Sequence, residues 1–363
     1  MIDDHVHPFG LEFTPFDPAA LTLDVEPGEP AAQRRRRLAP GRLHLHLLQA
    51  RLARLLGVHV NDAVAARDET ARGDWPGWVR RLFDDAEITG FVMDEAVGGT
   101  PGPVTRYVDV AGRPFWSLAR IDPLVDELIG SGASAAEIVD GVETFMQAAA
   151  DGGCVGFKTI LAYRTGLAVD PEVDLAAAQR SLDSDLPVRR RAKPLRDLVL
   201  RGAFARAADL NLPFQVHTGF GDSELRLAEA DPLLLEDLLR TPEGAAATVV
   251  LIHGSFPWHA SAAYLAATKP NVWVELSLSN LFAPVGVADR LLGILDLAPT
   301  GRVLLGSDGH GAPETHWFGC SVLADAWRDV AGRLLDAGAD AGWVTATRDA
   351  IFENNAREVY QLN

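Results

Sequence analysis

Short apolar, β-branched runs recur along this 363-residue chain, separated by longer stretches whose apolar positions follow helical spacing. Eight runs read as strands: Ile2–His7, Ile88–Met93, Trp116–Ile121, Cys154–Thr159, Pro213–His217, Thr248–His253, Val272–Leu276 and Arg302–Ser307. Between the first two, residues 31–84 read as helical, with leucines interleaved among Arg34 to Arg37, Arg42, Arg51 and Arg54. Further helices are expected at about 135–150, across most of 170–209, at 223–239, 260–267 and 288–295, and from 317 to 360. Residues 8–30, with Pro8, Pro15, Pro18, Pro27 and Pro30, have loop composition. Strands alternating with helices imply right-handed crossovers and a parallel sheet. Eight such units predict an α/β chain closed into a (β/α)8 TIM barrel, one domain over 1–363 with a helical insertion at 31–84 after strand one. An open doubly wound sheet is the competing architecture; no Gly-x-Gly-x-x-Gly follows the first strand to support it.

Composition narrows the function classes. Hydrophobic content of 48% and charged content of 23% suit a water-soluble globular protein. A net charge of −17 argues against nucleic-acid or anionic-membrane partners, leaving a small molecule as the expected partner and a homo-oligomer as open. Cys154 and Cys320 are the only cysteines, which suggests a reducing compartment. The opening residues carry neither a basic flank nor an apolar run, and no stretch reaches the roughly 18 apolar residues of a membrane span. A cytoplasmic location is expected.

The chemistry lies at the ends of the expected strands. His5 and His7, two residues apart on a strand, share a face and can hold one metal ion. His217 ends the fifth strand, His253 the sixth, and Asp308 follows the eighth. In a parallel barrel these ends meet on one rim, where active sites of this fold are built. Glu275, within Val-Trp-Val-Glu-Leu, is a buried carboxylate that needs a partner and could orient a histidine. His259, His310 and His316 read as loop residues. His44 and His46 sit in helical sequence, where a two-residue spacing splays them apart, and read as structural.

With His5-x-His7, His217, His253 and Asp308 in this order, the chain resembles the amidohydrolase superfamily of metal-dependent barrels. It is most similar to the branch containing aminocarboxymuconate-semialdehyde decarboxylase. Gly156-Phe157-Lys158-Thr159 and Ala162-Tyr163-Arg164-Thr165-Gly166-Leu167 resemble amidohydrolase-like domains fused to glutamine synthetase-like domains. The resemblance implies a divalent ion, Zn2+ foremost with Mn2+ or Fe2+ as alternatives, held by His5, His7, His217 and Asp308. It implies that Asp308 shuttles a proton to and from metal-activated water, and that His253 hydrogen-bonds the water or polarises a substrate carbonyl. Lys158, Tyr163 and Arg164 are the expected substrate-binding residues. In two-metal members a lysine ending strand four is carbamylated and bridges the ions; the alternative for Lys158 is an ammonium meeting a substrate carboxylate or a nearby acid. The expected activity is hydrolysis of a C–N or C–O bond in a small molecule. Non-oxidative decarboxylation of an unsaturated or aromatic acid on the same site is the alternative. Substrate choice rests with the loops at 8–30, 94–106 and 160–190.

Overall fold

The computed structural model describes residues 1–95 and 104–362, so residues 96–103 of the expected 94–106 loop lie outside the described residues. The strands are β1 (Ile2–Val6), β2 (Gly90–Asp94), β3 (Phe115–Arg120), β4 (Gly156–Thr159), β5 (Phe214–His217), β6 (Val249–Ile252), β7 (Val272–Leu276) and β8 (Val303–Leu305). They form one parallel sheet in sequence order, each strand paired with the next. The two ends of the sheet meet: Asp308 N–H donates to the His5 carbonyl at 2.9 Å and His7 N–H to the Gly309 carbonyl at 2.8 Å. The result is a nearly closed (β/α)8 barrel.

Strand alternation separates two sets of side chains. Phe157, Phe214, Val216, Val274 and Leu276 point outward into the core between sheet and helices. Ile2, Val92, Leu118, Val250, Ile252, Trp273 and Leu304 point inward and pack with Val359 and Tyr360 of the C-terminal segment, which plugs one end of the barrel. The inward positions nearer the other end are polar: Asp94, Arg120, Lys158, Gln215, His217 and Glu275, all buried. β1 carries one extra residue in its pairing with β2, since Asp3 pairs with Phe91 but Val6 with Met93. Strict alternation from the inward Ile2 would turn Val6 into the barrel. The bulge shifts the phase, so Val6 joins the outer core and the two histidines face inward.

Four helices lie between β1 and β2: α1 (Glu29–Leu38), α2 (Leu43–Leu56), α3 (Ala63–Gly73) and α4 (Trp75–Asp85). Arg34 of α1 pairs with Asp24 and Glu26, and Arg36 with Glu29, on the outer surface. Arg67 of α3 is fully buried, its Nε 2.6 Å from Glu314 Oε1, which also accepts from Trp78 Nε1 of α4. Glu314 belongs to the long helix Pro313–Asp336, so this bridge fastens α3 and α4 to the barrel's outer layer. His44 is buried on α2 with Nε2 3.3 Å from the Leu21 carbonyl, and His46 is exposed.

Several sequence expectations are corrected. The helix expected over 223–239 is instead three short 3-10 turns at Leu227–Glu229, Pro232–Leu235 and Leu238–Arg240. Pro232 removes a donor there, and the Asp231 side chain accepts from Leu233 N–H, diverting the backbone from a continuous helix. Helices at Val104–Ala111 and Asp122–Ser131 were not read from the sequence. His316 is not a loop residue; it is buried in the first turn of Pro313–Asp336, and His259 opens the helix His259–Thr268. Among the described residues no helix is long and apolar enough to cross a membrane. Both cysteines are free, and the Cys320 thiol donates to Asp3 Oδ2 at 3.2 Å.

Candidate metal centre

Buried imidazoles and carboxylates gather at the C-terminal rim of the strands. The rings of His5 and His7 lie 5.0 Å apart, those of His5 and His253 5.5 Å, and those of His217 and His253 4.5 Å. Asp308 Oδ1 is 3.4 Å from His5 Nε2 and 3.3 Å from His7 Nε2. Among the described residues two trios offer ligand atoms within 4.8 Å of one another: His5, His7 and Asp94, and His5, His253 and Asp308. His217 belongs to neither trio, although it lines the same cavity. The backbone pays some strain for this convergence, because His253 (φ 69°) and Asp308 (φ 56°) both occupy the left-handed region.

Neighbouring groups fix which nitrogen of each ring carries the proton. His7 Nδ1 lies 3.0 Å from the Asp94 carbonyl, which can only accept, so Nδ1 is the donor. His253 Nδ1 lies 2.8 Å from Ser277 Oγ, and that hydroxyl gives its own hydrogen to Glu275 Oε2 at 2.7 Å, so Nδ1 donates there too. Glu275 also accepts from His253 N–H at 3.0 Å. His217 hydrogen-bonds the Phe220 backbone, and its Nε2 is buried with no partner. In the neutral ring the lone pair of His7 therefore faces Asp308 Oδ1, acceptor against acceptor, with the His217 lone pair in the same cavity. Burial makes protonation of these rings costly: it lowers His7, lowers His5 and His253 well below the ordinary imidazole value, and takes His217 down to about 3. Burial pushes the Asp308 carboxyl up; the imidazoles of His253, His7 and His310, whenever one of them carries the extra proton, pull it below its usual range. Neutral nitrogens facing an ionised carboxylate, with too few donors, form a set that fits a divalent cation.

Lys158 stands beside this set. Its Nζ is 2.7 Å from His5 Nε2 and 3.0 Å from Asp94 Oδ2. Arg120 Nε donates to the same Asp94 oxygen at 2.9 Å. Lys158 and Arg120 overcome the upward push of burial and keep Asp94 well below the usual carboxylate range, while burial lowers the lysine itself.

The family model for amidohydrolases matches residues 2–362. The chain belongs to the amidohydrolase family. Its members' fold and metal-dependent centre are those of enzymes. Protein fluG of Emericella nidulans is 27% identical to this amidohydrolase over 364 residues, a match spanning 90% of this chain and 41% of that protein. The chain thus covers about two-fifths of the length of that relative. A Lactobacillus casei structure to which metal-dependent hydrolysis is ascribed superposes with a TM-score of 0.85 at 24% identity, covering 99% of this chain and 94% of the other. Glucuronate isomerase from Caulobacter crescentus superposes with a TM-score of 0.67 at 14% identity, covering 100% and 91%. These two likenesses are of fold.

The amidohydrolase centre opens into a cavity of about 220 Å³, with Tyr163, Arg164, Asp222 and Phe282 on its walls. The Tyr163 ring stands edge-on to His217, 4.8 Å between centroids, and its oxygen accepts from Asp222 N–H at 3.0 Å. Arg164 reaches the cavity but directs Nε to Asp126 Oδ2 at 2.9 Å. Sequence reasoning missed Asp94, Arg120 and Asp222. The first two were detectable, since each is the last residue of an otherwise largely apolar strand. Asp222 lies in a loop, and only the fold brings it to the cavity.

Proposed function

We propose that this amidohydrolase hydrolyses a C–N or C–O bond of a small molecule with the help of one divalent cation, Zn2+ foremost. The observation that carries the reading is the His7 lone pair set against Asp308, with the buried Nε2 of His217, unpartnered among the described residues, lining the same cavity. His5, His7, His217 and Asp308 are the proposed ligands, and the cation would polarise a substrate oxygen and acidify water there. Asp308, held ionised, accepts the proton of the attacking water and returns it to the leaving group. His253, its Nδ1 proton committed to Ser277, turns Nε2 to the cavity and orients the water beside Asp308. The Tyr163 oxygen already accepts from Asp222 N–H, so its hydroxyl proton is free for a substrate oxygen. Lys158, with Arg120, meets a negatively charged part of the substrate. Arg164 contributes at the rim with the nitrogens that Asp126 does not engage.

The test pairs metal analysis of the purified protein with turnover of an amide and lactone panel. About one ion per chain with hydrolysis that disappears on chelation supports the reading. About two ions would point instead to a carbamylated Lys158. Release of CO2 from unsaturated or aromatic acids, without hydrolysis of any panel member, would replace the reading with decarboxylation.

A further inference from the structure

Among the described residues no cation is paired with the Asp222 carboxylate. The backbone holds it in place: Phe220 N–H donates to the Phe256 carbonyl at 2.7 Å, and Asp222 N–H donates to Tyr163 Oη at 3.0 Å. Gly221 makes this close approach feasible, since a Cβ there would lie 1.9 Å from Tyr163 Oη. The half-buried Asp222 side chain lines the cavity of the metal centre, and Glu224, exposed to solvent, stands at the same cavity. Among the described residues neither carboxylate has a hydrogen bond or an ion pair, although the surface is rich in arginines that pair with other acids. Partial burial, then the nearby charges of Asp308 and Glu224, raise Asp222 to about 6, with only His310 opposing them. Lys158 and Arg120 pair with Asp94 and not with Asp222. The unpartnered Nε2 of His217, whose residue is 4% exposed, faces the same cavity and marks it as a place built to receive a ligand.

We propose that the substrate of this site carries a protonated amine, which Asp222 receives with Glu224 beside it. The proposal rests on the metal-centre reading above and adds a substrate class to it. A neutral hydroxyl would satisfy hydrogen bonds to Asp222 but leave the charge of that half-buried carboxylate uncompensated at the cavity wall. An ammonium group satisfies both, and charge-assisted hydrogen bonds of this kind are the stronger ones. The wall is set in advance by backbone contacts, so little ordering is required when the amine arrives.

Binding to the zinc-loaded full chain tests this without knowledge of the natural substrate. The probes are ω-aminoalkanohydroxamates of two to six carbons, each compared with the plain and ω-hydroxy hydroxamates of equal length. The hydroxamate head reports the metal centre, and the tail reports Asp222. At one length the amine should tighten binding about ten-fold or more over both counterparts. Asp222→Asn should reduce that gain to less than two-fold, with zinc content and plain-hydroxamate affinity unchanged. Absence of a gain at every length, or a gain that survives both Asp222→Asn and the Asp222→Asn/Glu224→Gln pair, overturns the proposal. Failure of plain hydroxamates to bind the zinc-loaded chain would instead count against the metal-centre reading.

Discussion

Histidine protons in this site are placed by a backbone carbonyl and a serine hydroxyl. The Asp94 carbonyl takes the Nδ1 proton of His7, and Ser277, itself held by Glu275, takes that of His253. Removing such a partner frees the ring to turn or to change tautomer. Ser277→Ala is expected to lower kcat about 10- to 100-fold while the fold and the bound metal persist, measured by steady-state turnover alongside metal analysis. The roles of the two neighbouring rings separate in the same way. His217→Ala should lose the metal, and His253→Ala should keep it but lose turnover; the opposite pattern of metal contents would exchange their roles. Asp308→Asn should reduce kcat by about 10²-fold or more if the carboxylate moves the proton. Burial also sets the pH response of the centre. Protons compete for an ordinary imidazole near pH 6.5, but for His217 only near pH 3. Metal should therefore be retained on dialysis well below pH 6; loss centred at pH 6–7 would contradict the lowered values. His7, His217, His253 and Asp308 were legible because chemistry-bearing side chains stand out at the ends of apolar strands; Asp94 and Ser277 were not named. The proton positions on the imidazoles were not legible, because those depend on carbonyls and hydroxyls from other strands.

Among the elements, β1 shows how much one residue can matter. Its histidines reach the metal centre because the pairing with β2 absorbs an extra residue between Asp3 and Val6. The two-residue spacing of His5 and His7 is visible in the sequence; the bulge that points them inward is a property of the paired sheet. The short segment after β5 is similar. Gly221→Ala would force a methyl against Tyr163, displacing Asp222 and the tyrosine together, and should raise KM by about ten-fold or more with less effect on metal content. Further out, α3 and α4 are fastened to the helix Pro313–Asp336 by one charged contact with no solvent around it. Arg67→Met leaves Glu314 buried and without its cation, at an expected cost of about 3–5 kcal/mol in denaturant unfolding. A cost below about 1 kcal/mol would mean that water or another donor replaces the arginine. The helical character of residues 31–84 was legible from leucine spacing, but this anchor was not, because its partners are 247 residues apart.

For the whole molecule, neutral buried imidazoles make acid a general hazard. His316, buried under the His7 carbonyl, is lowered to about 4 and His217 to about 3, chiefly by burial. The unfolded chain binds protons at these sites from about pH 6.5 downward, whereas the folded chain does not. Stability of the metal-free protein should therefore be fully present above pH 6.5 and fall progressively toward pH 4, as measured by urea midpoints across that range. Bound metal should flatten the upper part of this slope by stabilising the neutral rings.

The alternation of apolar runs with helical segments determined the barrel, because burying eight short strands between helices leaves few other arrangements. The same chain, read alone, placed two histidines, two strand-end imidazoles and a late aspartate on one rim, since parallel strands share a direction. Tertiary structure decided what periodicity cannot encode: the phase shift in β1, the proton on each ring, the Asp94 bridge to Lys158 and Arg120, and the arrival of Asp222 from a loop. These depend on distances between residues far apart in sequence, and such distances exist only once the barrel has closed.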